Sequence, residues 1–160
     1  MEKQKSTYLF ALEVTPLKVG KTYDTLPLHC TLMHRFLSEK SADELVKHTE
    51  KLLDNTSQIV LVPGDHVPFG PRHKLANRLK LTKELLALHM ALYDLLIEVG
   101  VHFTEADWVG KGYTPHVSDQ KGVSLPTRGS TVSSAVYLIE VEHPLDGTHR
   151  FVRHKFGLRP

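Results

Sequence analysis

The sequence predicts an α+β fold with antiparallel sheets. Apolar residues alternate with a period of two in several short segments, and they recur at helical spacing in two longer ones. The order along the chain is strands, helix, strands, helix, strands, which fits two β-β-α-β-like halves of about 80 residues. Grouped strands of this kind indicate antiparallel sheets with helices packed against them.

The first half begins with a short apolar run rich in β-formers, so we predict a strand over residues 8–14. A loop starts at Pro16 and Gly20, and residues 28–36 alternate as a second strand. Ser41-Ala42-Asp43-Glu44 fits a capping box, because the hydroxyl and the carboxylate can each accept from a free amide of the other. A helix is therefore expected over about residues 42–54.

The middle of the chain predicts strand pieces at residues 58–62 and 66–69, broken by Pro63-Gly64, and another strand at residues 75–81. A longer helix follows, capped by Thr82 and ended by Gly100. Its buried face is predicted to carry Leu85, Leu88, Leu92, Leu95, Leu96 and Val99.

The last third predicts loops at residues 101–113 and 120–129, with a short strand at residues 116–118 between them. Residues 131–142 and 150–156 are predicted to form a hairpin joined through Leu145-Asp146-Gly147.

Composition excludes several classes of protein. The 160 residues and 18.1 kDa correspond to a single domain over residues 1–160. Hydrophobic residues make up 41% and charged residues 24%, which excludes disordered, collagenous and membrane-spanning chains. A net charge of +2 is too small for a protein that coats nucleic acid through a polybasic surface, although it is compatible with a local basic face. The 11 histidines would add positive charge below about pH 6.

The single cysteine, Cys30, excludes an internal disulfide framework and a cysteine-based zinc cluster. The apolar stretch from Tyr8 to Leu12 is too short for a signal peptide, and no run of about 20 apolar residues exists. We expect a soluble, cytoplasmic protein with no membrane partner and no obligate protein partner.

Common catalytic motifs are absent from the sequence: it has no Walker loop, Gly-x-Gly-x-x-Gly, Gly-x-Ser-x-Gly or His-Glu-x-x-His. His29 and His34 are separated by an odd number on one predicted strand, so their rings are expected on opposite faces. A local metal site is therefore not expected, while one assembled from distant segments stays open.

Two short units carry the chemistry. In His29-Cys30-Thr31 and His116-Val117-Ser118, residues i and i+2 of a strand share a face, so each unit presents an imidazole beside a hydroxyl. The imidazole moves a proton near neutral pH, and the hydroxyl can bond an anionic oxygen. Two such units facing each other would make a phosphodiester site in which one histidine is the base and the other the acid.

Chance alone supplies about one or two His-x-Ser/Thr units in a chain of this composition, and the sequence holds three. The third, His102-Phe103-Thr104, follows the helix stop and has no strand character after it. Context therefore favours the other two.

Pro27-Leu28-His29-Cys30-Thr31-Leu32 and Thr114-Pro115-His116-Val117-Ser118 resemble the paired signatures of the two-histidine phosphoesterases, the group of 2′-5′ RNA ligase-like proteins and cyclic phosphodiesterases. Their separation of 87 residues is similar to that of the family, as is the long helix containing His89 between them. Asp119 departs from the family, which commonly has an apolar residue there.

The resemblance implies a bilobal α+β fold, with two pseudo-symmetric halves whose antiparallel sheets form a central cleft and with helices on the outside. It implies His29 and His116 as the catalytic acid–base pair, Thr31 and Ser118 as ligands of the substrate phosphate, and neither a metal nor a cofactor. Which histidine is the base stays open at this point.

Several other residues have two interpretations each. Lys111 and Tyr113 either contact the substrate phosphate or base, or lie in a solvated loop. Arg72, His73 and Lys74 form either an electropositive rim or a plain turn.

Three residues near the motifs have expected structural roles. His89 is expected to be a half-buried, hydrogen-bonded histidine, and Cys30 a small core residue that points away from the cleft. Trp108 is either a base platform or part of the core.

The function predicted from the sequence is a metal-independent phosphodiesterase that hydrolyses a cyclic (2′,3′-type) or 2′-5′-linked phosphodiester of RNA or a nucleotide. The alternatives are a 2′-5′ RNA ligase that uses the same pair in reverse, and a non-catalytic RNA- or nucleotide-binding module.

Overall fold

The structure is a computed structural model that describes residues 5–143, 145 and 147–160. It confirms the α+β class with antiparallel sheets. The helices are α1 (Ala42–Asp54) and α2 (Lys83–Val99). The strands are β1 (Ser6–Glu13), β2 (Thr22–Tyr23), β3 (His29–Ser38), β4 (Ile59–Leu61), β5 (Pro63–Phe69), β6 (Lys74–Leu79), β7 (His102–Phe103), β8 (His116–Ser118), β9 (Thr131–Ser133), β10 (Ala135–Glu142) and β11 (His149–Gly157).

Three sheets organise these strands. The largest has six strands in the order β2-β11-β10-β1-β3-β7, the second has the order β5-β6-β8, and the third pairs β4 with β9. Strands from both halves of the sequence share the six-stranded sheet, because β10 and β11 join β1 and β3 there. A sheet therefore does not correspond to one half of the chain, and the bilobal symmetry stays a prediction.

Both helices pack on one face of the six-stranded sheet. Leucines of α1 and α2 join side chains of β1, β3 and β10 in the main core. The opposite face of β1 and β10 has its own smaller cluster, which includes Tyr137 and is covered by Leu17 and Leu26 from the loop before β3. The central strands β1 and β10 are therefore covered on both faces.

The predicted helix caps are confirmed. The Ser41 hydroxyl accepts from the Glu44 amide at 3.2 Å, and the Glu44 carboxylate accepts from the Ser41 amide at 3.2 Å. The Thr82 side chain caps α2, and Gly100 ends it in the left-handed region with φ of 90°. That conformation costs glycine little, since glycine has no Cβ.

Strand β3 contains irregularities that the periodicity does not reveal. Tyr8 of β1 pairs with Phe36, Phe10 pairs with Met33 and Ala11 pairs with Thr31, so β3 has two more residues than β1 over this stretch. Each extra residue interrupts the alternation of faces. The prediction that His29 and His34 face opposite sides is therefore wrong, and both lie near the second motif.

Two other segments differ from expectation. The predicted loop at residues 101–113 contains β7, which pairs with β3, and two single-turn 3₁₀ helices at Ala106–Trp108 and Gly110–Gly112. The final hairpin is confirmed by the pairing of β10 with β11, but Asp146 of its predicted turn lies outside the described residues. No helix of the described chain has the length and apolarity to span a membrane.

Candidate active site

The two predicted histidines have the same local geometry. His29 Nδ1 lies 2.8 Å from the Pro27 carbonyl oxygen, and His116 Nδ1 lies 3.0 Å from the Thr114 carbonyl oxygen. A carbonyl only accepts, so Nδ1 carries the proton in both rings. In the neutral form each Nε2 then has a free lone pair, as a proton acceptor requires.

Direct contacts join the two motifs although 87 residues separate them. The Tyr113 hydroxyl donates to the Thr31 carbonyl oxygen at 2.9 Å. The Tyr113 hydroxyl also lies 3.8 Å from the Cys30 Sγ, and, besides burial, the charge of His116 contributes to the lowered pKa of His29. The segment that carries the second motif is thus docked on the strand that carries the first.

The hydroxyls stand beside the histidines as the spacing predicts. Thr31 and Ser118 are partly exposed, while Cys30 and Val117 between the motif residues are fully buried. Neither hydroxyl has a hydrogen-bond partner within the described part of the chain. Both are available to an incoming acceptor.

Burial keeps both histidines neutral in the resting protein. It lowers the pKa of His29 to about 4; the hydrogen bond to Pro27 opposes this shift, and the charges of His116, Arg150 and Lys74 add to it. Burial also lowers the pKa of His116, and the charge of His34 adds to that effect. At neutral pH, His29 is therefore ready to accept a proton.

These lowered values predict a loss of stability in mild acid. In the folded protein the pKa values of His29, His116 and the buried His89 lie below the usual 6.5. At a pH between these lowered values and 6.5, the unfolded chain therefore binds more protons than the folded one. We expect the free energy of unfolding to be insensitive to these groups above about pH 6.5, and to fall by up to about 1.4 kcal/mol per pH unit and group below it. Urea midpoints between about pH 7.5 and 4.5 measure this. A flat profile, or the same slope in His29→Gln, would contradict it.

Cationic side chains converge near the first histidine. The pKa of Arg150 on β11 is lowered by burial and by the charges of Arg35 and Arg72, with Asp24 opposing. Lys74 acts on His29 from the start of β6 and donates to Gln120 at 3.0 Å. Of the predicted rim, Lys74 therefore lies within electrostatic range of His29, and Arg72, like Arg35, acts on Arg150, while a rim over all of residues 72–74 stays a prediction. Sequence reasoning missed Arg35 and Arg150 because they come from different strands with no local motif.

Aromatic rings line the side of His116. The Phe69 and His116 ring centroids are 4.4 Å apart, and the Trp108 centroid is 6.4 Å from that of His116. Phe69 and Trp108 meet edge to face at 5.4 Å, and both are partly exposed. Trp108 therefore borders the site instead of lying in the core, and the base-platform interpretation stays a prediction. No motif or residue spacing in the sequence identified Phe69 as a neighbour of the site.

The family model of the 2′-5′ RNA ligase superfamily matches residues 9–155. The chain belongs to this superfamily. Both histidine motifs lie within the matched region. No curated protein matches the chain in sequence.

Solved structures share the superfamily fold at low sequence identity. LigT from E. coli, in complex with NADP+, has a TM-score of 0.63 and 16% identity, covering 98% of this chain and 99% of its own. A structure described as a phosphoesterase has a TM-score of 0.60 and 16% identity, covering 98% and 100%. TT0787 from Thermus thermophilus has a TM-score of 0.57 and 18% identity, covering 96% and 98%.

In this superfamily member, Tyr113 is buried, so the solvated-loop interpretation is wrong, and its contact with substrate stays a prediction. Its side chain is 4% exposed, and its ring stacks on His89 at 3.8 Å with an interplanar angle of 1°. Burial and the bond to Thr31 make Tyr113 a support of the first motif. Lys111 is exposed, and its contact with substrate stays a prediction.

His89 is a brace beneath the site. It is completely buried, not half-buried as predicted, and both ring nitrogens are satisfied as predicted. Nδ1 donates to the Leu32 carbonyl at 2.8 Å, and Nε2 accepts from the Gly110 amide at 2.9 Å. His89 on α2 therefore ties β3 to the turn that precedes the second motif.

The other residues that the sequence analysis singled out are Cys30, His102 and Asp119. Cys30 is fully buried, as predicted, and burial raises the pKa of its thiol to about 11. His102 is exposed on β7. Asp119, the departure from the family pattern, accepts from His66 at 2.9 Å. The part of the chain that is described has no group of three or more His, Cys, Asp or Glu side chains suited to a metal.

Proposed function

We propose that the protein is a phosphodiesterase that hydrolyses a cyclic (2′,3′-type) or 2′-5′-linked phosphodiester of RNA or a nucleotide. The observation that carries the proposal is the matched pair of histidines: each has Nδ1 bonded to a carbonyl, and each stands beside a hydroxyl that has no hydrogen-bond partner among the described residues. Membership of the 2′-5′ RNA ligase superfamily supports the same reaction class.

The lower pKa favours His29 as the general base. Its Nε2 takes a proton from water, and the water oxygen forms the new bond to phosphorus. The bond from phosphorus to the leaving ribose oxygen breaks, and His116, charged beside the bound phosphate, gives its proton to that oxygen. Thr31 and Ser118 bond the non-bridging oxygens. Exchange of a proton with solvent then restores both rings.

The surroundings suit a nucleotide. Arg35, Arg72, Lys74 and Arg150 supply positive charge for phosphate, and an aromatic wall borders His116. LigT from E. coli has been solved with 3′-AMP, at a TM-score of 0.61 and 17% identity over 98% of this chain. A nucleotide ligand in a relative of the same fold supports a nucleotide or RNA substrate here.

A substrate panel tests the proposal. We expect turnover of 2′,3′-cyclic nucleotides, of 2′-5′ oligonucleotides or of ADP-ribose cyclic phosphate, and we expect it to continue in EDTA because the two histidines carry the proton transfers. Product release is followed by chromatography, with 3′-5′ oligonucleotides as the matched control. Loss of turnover in EDTA that an added metal restores would point to metal-assisted hydrolysis instead.

The pH dependence tests the acid–base pair. The base must be neutral and the acid protonated, and kcat/KM reports these states in the free enzyme. Since the pKa of His29 is about 4 and that of His116 is lowered from 6.5, we expect kcat/KM to be greatest between these limits. The two apparent pKa values belong to the coupled pair. A maximum above about pH 7.5 would contradict this pair of pKa shifts.

Ligation is the second candidate, and membership of a superfamily described by 2′-5′ RNA ligases supports it as well as hydrolysis. The same two histidines would act in reverse, with an RNA hydroxyl in place of water. Incubation of 2′,3′-cyclic-phosphate and 5′-hydroxyl RNA ends distinguishes the two, because a 2′-5′ joined product arises only by ligation. Undiminished nucleotide binding without either product would favour a binding module.

A further inference from the structure

A third histidine, His34, lies beside His116, and neither motif includes it. The His34 ring is 6.2 Å from the His116 ring between centroids, with an interplanar angle of 27°. The centroid of the Trp108 ring lies 5.9 Å from that of His34 and 6.4 Å from that of His116. The irregular register of β3 is what brings His34 to this place.

His34 is held by a carboxylate. Its Nδ1 lies 3.1 Å from Glu105 Oε2, and a carboxylate accepts, so this nitrogen is the donor. The bond from His34 and the charge of Arg35 lower the pKa of the Glu105 carboxyl, which keeps the partner negative. The bond fixes the orientation of the ring and leaves Nε2 as the atom that can gain a proton.

The other ring nitrogen of His34 is unpaired. Its side chain is 14% exposed, and Nε2 is buried with no hydrogen-bond partner among the described residues. A buried polar atom without a partner is unfavourable and is uncommon in folded proteins. His89, by contrast, is fully buried and has both nitrogens satisfied, and the other buried side-chain nitrogen without a partner among the described residues is Asn77 Nδ2.

We propose that His34, oriented by Glu105, is a further substrate-binding residue whose Nε2–H donates to an anionic oxygen of the phosphate held beside His116. The inference rests on the proposed function for the identity of that phosphate. The Glu105–His34 pair is neutral overall when the imidazole is protonated, so it offers a charged donor to the substrate at little electrostatic cost.

Kinetics of His34→Gln test the role, because a binding contact changes KM more than kcat. We expect KM for a 2′,3′-cyclic nucleotide to rise about tenfold or more, the effect of losing a hydrogen bond to a charged group, with kcat changed by less than about threefold. Glu105→Gln, at a side chain that is 42% exposed, keeps a hydrogen-bond acceptor for His34 and is expected to raise KM by a smaller factor. His48→Ala, exposed on α1, is the matched control and should leave KM unchanged.

A direct readout uses inorganic phosphate and the unmodified protein. We expect the ¹⁵N resonance of His34 Nε2, assigned by its loss in His34→Gln, to move to the protonated position on addition of phosphate, and to move less in Glu105→Gln. An unmoved resonance, or reduced stability of His34→Gln at unchanged KM, would overturn the inference and leave the proposed function standing. If the wild type turns over no phosphodiester, the proposed function fails, and the phosphate titration still decides the role of His34.

Discussion

Replacement of either His29 or His116 by alanine is expected to lower kcat on a 2′,3′-cyclic nucleotide by at least about a hundredfold. General acid and general base catalysis each contribute about 10²–10⁴-fold, and both histidines retain a free Nε2 for this role. Steady-state kinetics with the folded state checked by circular dichroism measure the effect. Thr31→Ala and Ser118→Ala each remove one hydrogen bond to a charged phosphate oxygen. Each should reduce the stabilisation of the transition state, measured from kcat/KM, by about 1.5–3 kcal/mol.

A double variant, and a variant of the third His-x-Thr unit, test whether this loss is specific to the two motifs. Both histidines act in one transition state, so His29→Ala/His116→Ala should lose much less than the product of the single losses. His102→Ala alters the third His-x-Thr unit, which is exposed on β7, and should leave the rate nearly unchanged. A silent His116→Ala beside a damaging His102→Ala would mean that the second motif has been wrongly assigned.

Replacement of His89 by alanine is expected to cost about 3–5 kcal/mol of the free energy of unfolding. The change leaves the Leu32 carbonyl and the Gly110 amide without their buried partner, and it removes the ring on which Tyr113 stacks. Activity should also fall in the fraction that remains folded, because Tyr113 holds the Thr31 backbone in place. Urea unfolding measures the first effect and kcat the second.

Asp94→Ala is the matched control for this variant, since Asp94 is exposed on the same helix. It should change the free energy of unfolding by less than about 0.5 kcal/mol. If His89→Ala were as stable as Asp94→Ala, the hydrogen bonds of His89 would not stabilise the site as described.

Local rules account for much of the site and of the helices. The pairing of an imidazole with a hydroxyl at i and i+2 needs only a regular strand, and His29-Cys30-Thr31 and His116-Val117-Ser118 both lie in regular stretches. Helix ends follow from side chains that satisfy free backbone groups within four residues, as at Ser41. These features are decided by near neighbours, so the sequence alone predicts them.

Features that depend on contacts between distant segments of the chain could not be predicted from the sequence. His34 reaches the second motif only because β3 has two more residues than its partner β1, and no spacing rule predicts a bulge. Tyr113 is buried because its ring stacks on His89 of α2, a contact between segments that the pattern treats separately. The interleaving of β10 with β1 likewise depends on tertiary packing and not on the order of elements.

The position of β1 has a consequence for how the chain folds during synthesis. This strand lies in the middle of the large sheet and pairs with β3 on one side and β10 on the other, so that Thr7 meets Val141. The ribosome completes the first pair long before it makes β10, and until then one side of β1 is an open edge with apolar side chains. Folding that waits for such distant pairing is slow, and the unfinished edge is prone to aggregation. A nascent chain of this protein therefore needs protection along β1 until its last strands emerge.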